Sequence, residues 1–230
     1  MSLTGGLLAA SLLAPAFGAD AFLSTMRKAE GRREPEERIE YFSRAIRAWS
    51  SDHGTALLAN CHFRRGQVYF EQLDLERAEP DLSKTLDLDP SNAIAYALRG
   101  RIHLRAGRHG KAERDFAEAG ALGRSGLEAQ LWRGEAQLKG GRSQEALKTF
   151  DGIARAEPIE HRAELGAARA LMARKRWQEA LKRLDKALEL SRELSADAFT
   201  ERAVAKVALN RRDEALGDYD SAIPLHESKL

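Results

Sequence analysis

The fold is decided by HFRRGQVY (residues 62–69), YALRGRIH (96–103) and QLWRGEAQ (130–137), three copies of one pattern. Their central glycines, Gly66, Gly100 and Gly134, stand 34 residues apart (100 − 66 and 134 − 100). Twelve residues after each glycine comes an alanine (Ala78, Ala112, Ala146), and four residues later a bulky apolar side chain (Leu82, Phe116, Phe150). Self-similarity at a fixed period of this length is the mark of a repeat array. Within each copy, two runs with apolar residues three and four apart are broken by a polar turn, at Gln72 to Asp74, Gly107 to His109 and Gly140 to Ser143. Each unit therefore reads as a helical hairpin. Glycine on the first helix and alanine on the second let the two helices approach, and Leu82, Phe116 and Phe150 fill the space between them. A hairpin this short cannot bury its own apolar face, so the units must stack.

On these residues the chain resembles the tetratricopeptide repeat family, whose 34-residue unit carries a Gly, an Ala, an aromatic and a Pro at these spacings. The connector Leu88-Asp89-Pro90-Ser91-Asn92 and the later Pro158 look like the family's inter-repeat turn. Weaker copies follow, with Ala180, Leu184 and Ala187 behind Ala168 in the glycine slot, and Ala215, Tyr219 and Ala222 behind Ala203. Upstream, Phe42 and Ala45 fit a degenerate first copy with Met26 in that slot. The resemblance implies an all-α fold, a right-handed superhelical array (α-solenoid) of about six tetratricopeptide hairpins whose first helices line a concave groove. The expected units run near 19–58, 59–92, 93–126, 127–160, 161–195 and 196–230.

Arg65, Arg99 and Arg133 precede the three glycines, where the family favours leucine. Their stems are expected to lie on the neighbouring helix with the guanidinium in water. Carboxylates interleaved with Lys and Arg, as in Lys111 to Asp115 and Arg174 to Glu179, read as solvated helix faces. The tally of 37 Lys and Arg against 35 Asp and Glu leaves a net charge of +2, which argues against general nucleic-acid binding.

The chain ends carry their own signals. Leu7 to Leu13 is an apolar run followed by Ala16-Phe17-Gly18, small residues at the positions a signal peptidase reads, so residues 1–18 are expected to be a signal peptide cut before Ala19. No Lys or Arg precedes that run, and the other reading is an N-terminal capping helix. The run is too short for a stable transmembrane anchor. The Ser228-Lys229-Leu230 tail looks like a peroxisomal address, but the Arg- and Ala-rich composition favours a bacterial source in which the tail is chance. The expected localisation is then the bacterial periplasm or outside the cell, and the cytoplasm if residues 1–18 are not a signal. Ala48 to Gly54 holds about six residues beyond the regular spacing, expected as a lengthened helix and loop with Trp49 folded back onto the array.

Catalytic patterns are missing from the sequence. Gly140-Gly141 lacks the strand and the Lys-Ser/Thr context of a phosphate-cradling loop, and none of the six histidines forms an i, i+4 pair. Cys61, the single cysteine, excludes an intramolecular disulfide and reads as a half-buried structural thiol, with His62 turned roughly 100° from it on a helix. No enzyme, metal or cofactor is expected.

Function then rests on the groove. Relative to the glycine slot, positions −3, +1, +4 and +5 share one helix face opposite the packing face. This selects Phe63, Gln67, Phe70, Arg101, Arg105, Leu131, Glu135, Leu138, Lys139 and Arg169 as candidate groove residues. Apolar shelves beside basic posts suit a protein or peptide segment with acidic and apolar residues. The alternative is a polyanion or nucleic acid held by the same cations, against which the want of groove tyrosine or tryptophan for stacking counts. Self-association end to end is a third expectation, because the last unit closes weakly at Ile223-Pro224.

Overall fold

The computed structural model describes residues 16–123, 126–191 and 196–227. Most of the expected signal peptide (residues 1–15) and the Ser-Lys-Leu tail (228–230) lie outside the described residues. Among those described there are twelve α-helices, one 3-10 turn and no strand. The helices are α1 (Ala16–Glu30), α2 (Pro35–Ala48), α3 (Thr55–Glu71), α4 (Leu75–Leu88), α5 (Ala93–Arg105) and α6 (His109–Leu122). They continue as α7 (Gly126–Lys139), α8 (Ser143–Ala156), α9 (His161–Ala173), α10 (Trp177–Leu190), α11 (Ala196–Ala208) and α12 (Arg212–Glu227). Consecutive pairs form hairpins, so the protein is an all-α helical repeat of the solenoid class. None of the described helices is long and apolar enough to cross a membrane. The chain divides into two compact units, Met1–Leu98 and Arg99–Leu230, the division falling inside α5.

The hairpin turns share a device. A residue in the left-handed region ends the first helix, at Leu73 (φ 61°), Gly107 (70°), Gly141 (77°), Lys175 (59°) and Asn210 (62°). The amide after it then reaches back to a helix carbonyl, as in Arg108 N–H to His103 O (2.8 Å) and Arg142 N–H to Gln137 O (2.8 Å). This satisfies the otherwise unpaired end of the helix.

In the first unit, Phe22, Ala29, Phe42, Ala45 and Cys61 form a buried cluster against which Met26, Tyr41 and Trp49 pack. The extra residues between the first two hairpins are taken up by α3, 17 residues against 14 in α4, and by a 3-10 turn at Ser51–His53. Trp49 folds back, its Nε1–H donating to the Gly54 carbonyl at 3.0 Å. Cys61 is fully buried rather than half-buried. Burial, aided by the Glu30 carboxylate and opposed by Arg65, pushes its thiol up to about 11. A thiol so placed is an inert packing group.

In the second unit, Phe150 of α8 sits between two helices. An added Cβ on Gly134 of α7 would stand 2.6 Å from its Cζ, and one on Gly166 of α9 only 2.4 Å from its Cε1. Both positions must lack a side chain for the ring to fit. Ala146, Leu147, Ile153, Ala163, Ala167 and Leu171 complete this core.

The arginines before the glycines correct an expectation. Arg65 does not reach out to water; its Nε and Nη2 donate to the two carboxylate oxygens of Asp81 on the paired helix, both at 2.7 Å. Arg99 holds Asp115 in the same way at 2.9 and 2.8 Å, and Arg202 holds Asp218 at 3.0 and 2.6 Å. These aspartates are 4–6% exposed, so they are not part of a solvated face. Charge-assisted bidentate pairs explain how an acid survives in an apolar seam. Two hairpins of the second unit depart from the scheme. In α7–α8 the aspartate position is Thr149, whose hydroxyl donates to buried Gln137 (2.8 Å), and Arg133 pairs with Glu113 at 3.6 Å instead. In α9–α10 the polarity is inverted: Glu164 on the first helix, 1% exposed, accepts from Arg183 (2.7 Å) and Lys186 (2.5 Å) on the second.

Candidate functional site

The first helices of the second unit's hairpins leave one face free of their own second helices. There α5, α7, α9 and α11 contribute to an open cavity of about 580 Å³. Its apolar lining is Leu104, Leu131, Trp132, Leu165 and the edge of Phe150. Around these stand the cations Arg105, Lys139, Arg162 and Arg169, together with His161, Glu128, Glu135 and Asp197.

The expected residues fall into three groups. Arg105, Leu131, Glu135, Lys139 and Arg169 line this cavity together. Arg101 lies beside it, its guanidinium carbon 5.6 Å from the centre of the Trp132 ring, while Leu138 packs onto the Phe150 core. Phe63, Gln67 and Phe70 belong to α3 in the first unit, where both phenylalanines are only 8% exposed and so present little surface.

Several cations of the groove are tied to acids. Arg169 Nε donates to Glu201 Oε1 at 2.6 Å, Lys139 lies 3.8 Å from Glu135, and Arg162 lies 2.6 Å from Glu128. Burial pushes the Glu201 carboxyl above the ordinary range, and the neighbouring Asp197 and Glu135 charges add to this while Arg169 opposes it. The site is thus a mosaic of both signs around an apolar floor. Among the described residues no group of three or more His, Cys, Asp or Glu is arranged to hold a metal.

The four chosen slots missed Trp132, which is 38% exposed, and Arg162 and Glu128. The signal was present in helical arithmetic. Residues seven apart fall on nearly the same side of a helix, so slot −2 shares the stripe of slot +5, and slot −6 that of slot +1. Trp132 is two turns before Lys139, Arg162 two turns before Arg169, and Glu128 two turns before Glu135. The groove therefore does hold a tryptophan, contrary to expectation.

The tetratricopeptide repeat profile matches residues 63–126, 117–159 and 165–228, well over half of the 230 residues. No curated protein sequence matches the chain. Among solved structures, a tetratricopeptide repeat protein from Parabacteroides merdae ATCC 43184 superposes with a TM-score of 0.74 at 18% identity, over 89% of this chain and 80% of that one. MamA from Desulfovibrio magneticus RS-1 (residue 41 to its end) gives 0.65 at 17% identity, over 74% and 96%. YrrB, titled a TPR protein with an unusual peptide-binding site, gives 0.60 at 24% identity, over 84% and 100%. At these identities the likeness concerns the fold. With a profile match across most of its length and hairpins of the matching form, the chain belongs to the tetratricopeptide repeat family.

Proposed function

We propose that the protein is a non-catalytic interaction scaffold that holds a partner's peptide segment in the groove of the second unit. The observation that carries this reading is the cavity itself, in which Leu104, Leu131, Trp132 and Leu165 form an apolar floor between Arg105, Lys139, Arg162 and Arg169. A partly exposed tryptophan in the lining of a cavity is the kind of anchor that dominates binding energy. Basic posts on either side favour acidic residues flanking an apolar one in the ligand. Membership of a family of generally non-catalytic scaffolds supports the same reading, as does the peptide-binding site named for YrrB. Glu128, Glu135 and Asp197 in the same lining weigh against a polyanion or nucleic acid, whose phosphates they would repel.

Peptides selected from a displayed random library on the immobilised protein are expected to combine an apolar residue with acidic neighbours. Trp132→Ala is expected to weaken the selected peptides by at least roughly tenfold, the scale of an interface anchor. Arg105→Glu with Lys139→Glu is expected to select against acidic sequences. Peptides that bind all variants equally would place the site elsewhere.

The N-terminal segment is proposed as an export signal, with partners then found in the cell envelope or outside. A cut after Gly18 would fall in the first turn of α1 and leave Phe22 and Ala29, both fully buried, in the mature chain. N-terminal sequencing of natively expressed protein is expected to read from Ala19; an intact Met1 in the cytosol would refute export.

A further inference from the structure

The last helix carries apolar positions that earlier repeats of the second unit cover. Leu147 of α8, Leu181 of α10 and Leu216 of α12 each follow the second-helix alanine of their repeat (Ala146, Ala180, Ala215) by one residue. The first two are buried, whereas Leu216 is 61% exposed. Ile223 stands one after Ala222, as Leu188 stands one after Ala187, and it is 54% exposed while Leu188 packs onto the core. In the earlier repeats the first helix of the next hairpin contributes the covering. Leu147 shares its cluster with Ala163, Ala167 and Ala170 of α9, and Leu188 packs on one that holds Ala198 and Ala205 of α11. Among the described residues no helix follows α12. Gly217 beside Leu216 has open space around it, which leaves room for a helix to approach.

The first helix presents the other half of such a seam. Ala163 and Ala198 stand five residues before the glycine slots at Ala168 and Ala203, and Ala21 stands five before Met26 in the same slot. Ser24, two before Met26, holds the place of Gly166, which lies against Phe150. Ala21 and Ser24 are exposed, and Leu23, Ser24, Arg27 and Lys28 line an open cavity of about 420 Å³. All of them come after Gly18, so a cut there leaves this face intact.

The charges of the two faces are opposite. Arg27 and Lys28 on α1 are exposed and unpaired among the described residues, and so are Asp213 and Asp220 on α12. The other exposed charges described on these helices are Glu30, Arg212 and Glu214, the last already held by Arg211.

We propose that α12 docks on α1 of a second copy of this chain, head to tail, in the way that α8 packs on α9. Laid antiparallel in that register, Tyr219 meets Ser24 as Phe150 meets Gly166. Arg27 and Lys28 then come level with Leu216, with Asp213 and Asp220 about one turn to either side. Their stems cover the leucine while their charged ends reach the acids. Two copies of α12 set against each other would bring acids beside acids instead. The contact joins two different surfaces, so each copy keeps a free face for the next.

Sedimentation velocity of the full chain across a concentration series tests this, and the wild-type mass is expected to rise with concentration. Leu216→Glu and Ser24→Glu each change one exposed position, on opposite faces, so the fold is retained. Either alone is expected to weaken association at least roughly tenfold, because a carboxylate is then buried in the seam. Each variant keeps the face that the other has lost. An equimolar mixture is therefore expected to form two-chain complexes that grow no further, which also shows that both variants are folded. A wild-type mass of one chain at every concentration would overturn the proposal. So would a variant that associates like the wild type, or a mixture that stays at one chain.

Discussion

Asp81→Ala is expected to destabilise the first unit by about 3–5 kcal/mol, the usual effect of removing one partner from a buried ion pair. Arg65 would lose both of its 2.7 Å hydrogen bonds and keep only that to the Ser43 hydroxyl at 2.8 Å, and His62 would lose its 2.8 Å contact. The cost is the stranded charge more than the lost attraction. Arg65→Met combined with Asp81→Leu should therefore recover most of the loss. Urea denaturation followed by helical circular dichroism measures both variants, and an Asp81→Ala effect below about 1 kcal/mol, the scale of a surface pair, would refute the buried clamp.

The same clamps set the response to acid. Burial raises the carboxyls of Asp81, Glu164 and Asp218, but hydrogen bonds and charge from Arg65 and His62, from Lys186 and Arg183, and from Arg202 and Lys206 outweigh it and leave all three lowered. A folded-state value below the unfolded one means the unfolded chain binds protons first. The stabilisation is then full above the ordinary carboxylate range near pH 4 and disappears as pH falls through the lowered folded values. Denaturation midpoints should hold steady from neutrality to about pH 5 and fall below it.

Gly166→Ala is the second large effect, expected at about 1–3 kcal/mol of destabilisation from overpacking. A ring clashing with a new methyl normally swings aside. Phe150 has little room for this, because the same Cε1–Cζ edge of the ring also lies close against Gly134, where even a Cβ would stand 2.6 Å from Cζ. Phe150→Leu in the Gly166→Ala background should relieve part of the strain. Gly152→Ala, in α8 itself, meets nothing within 4 Å and is expected to stabilise by about 0.5–1 kcal/mol through helix propensity alone. Thermal unfolding of the set distinguishes the two glycines, and equal effects would show that the ring is free to move.

The sequence by itself determined the repeat, its period and the hairpin form. Each helix was written in a local spacing of apolar residues, and each turn in a short polar break, neither of which needs a distant partner. The floor of the groove was partly legible too. Leu131, Lys139 and Arg169 followed from helical phase, and Trp132 would have followed from the same phase carried back two turns. The Arg and Asp clamps left a trace, since an arginine one before the slot accompanies an aspartate fifteen after it at Arg65 and Asp81, Arg99 and Asp115, and Arg202 and Asp218. That trace remained ambiguous because an Asp among Lys and Arg looks the same in sequence whether it faces water or an apolar seam. Burial depends on what lies across the seam, and so does the choice between Phe63, 8% exposed in α3, and Trp132, open in α7. Only the tertiary structure decided these: composition sets which charges exist, whereas their solvation, partners and reach are fixed by neighbours far away along the chain.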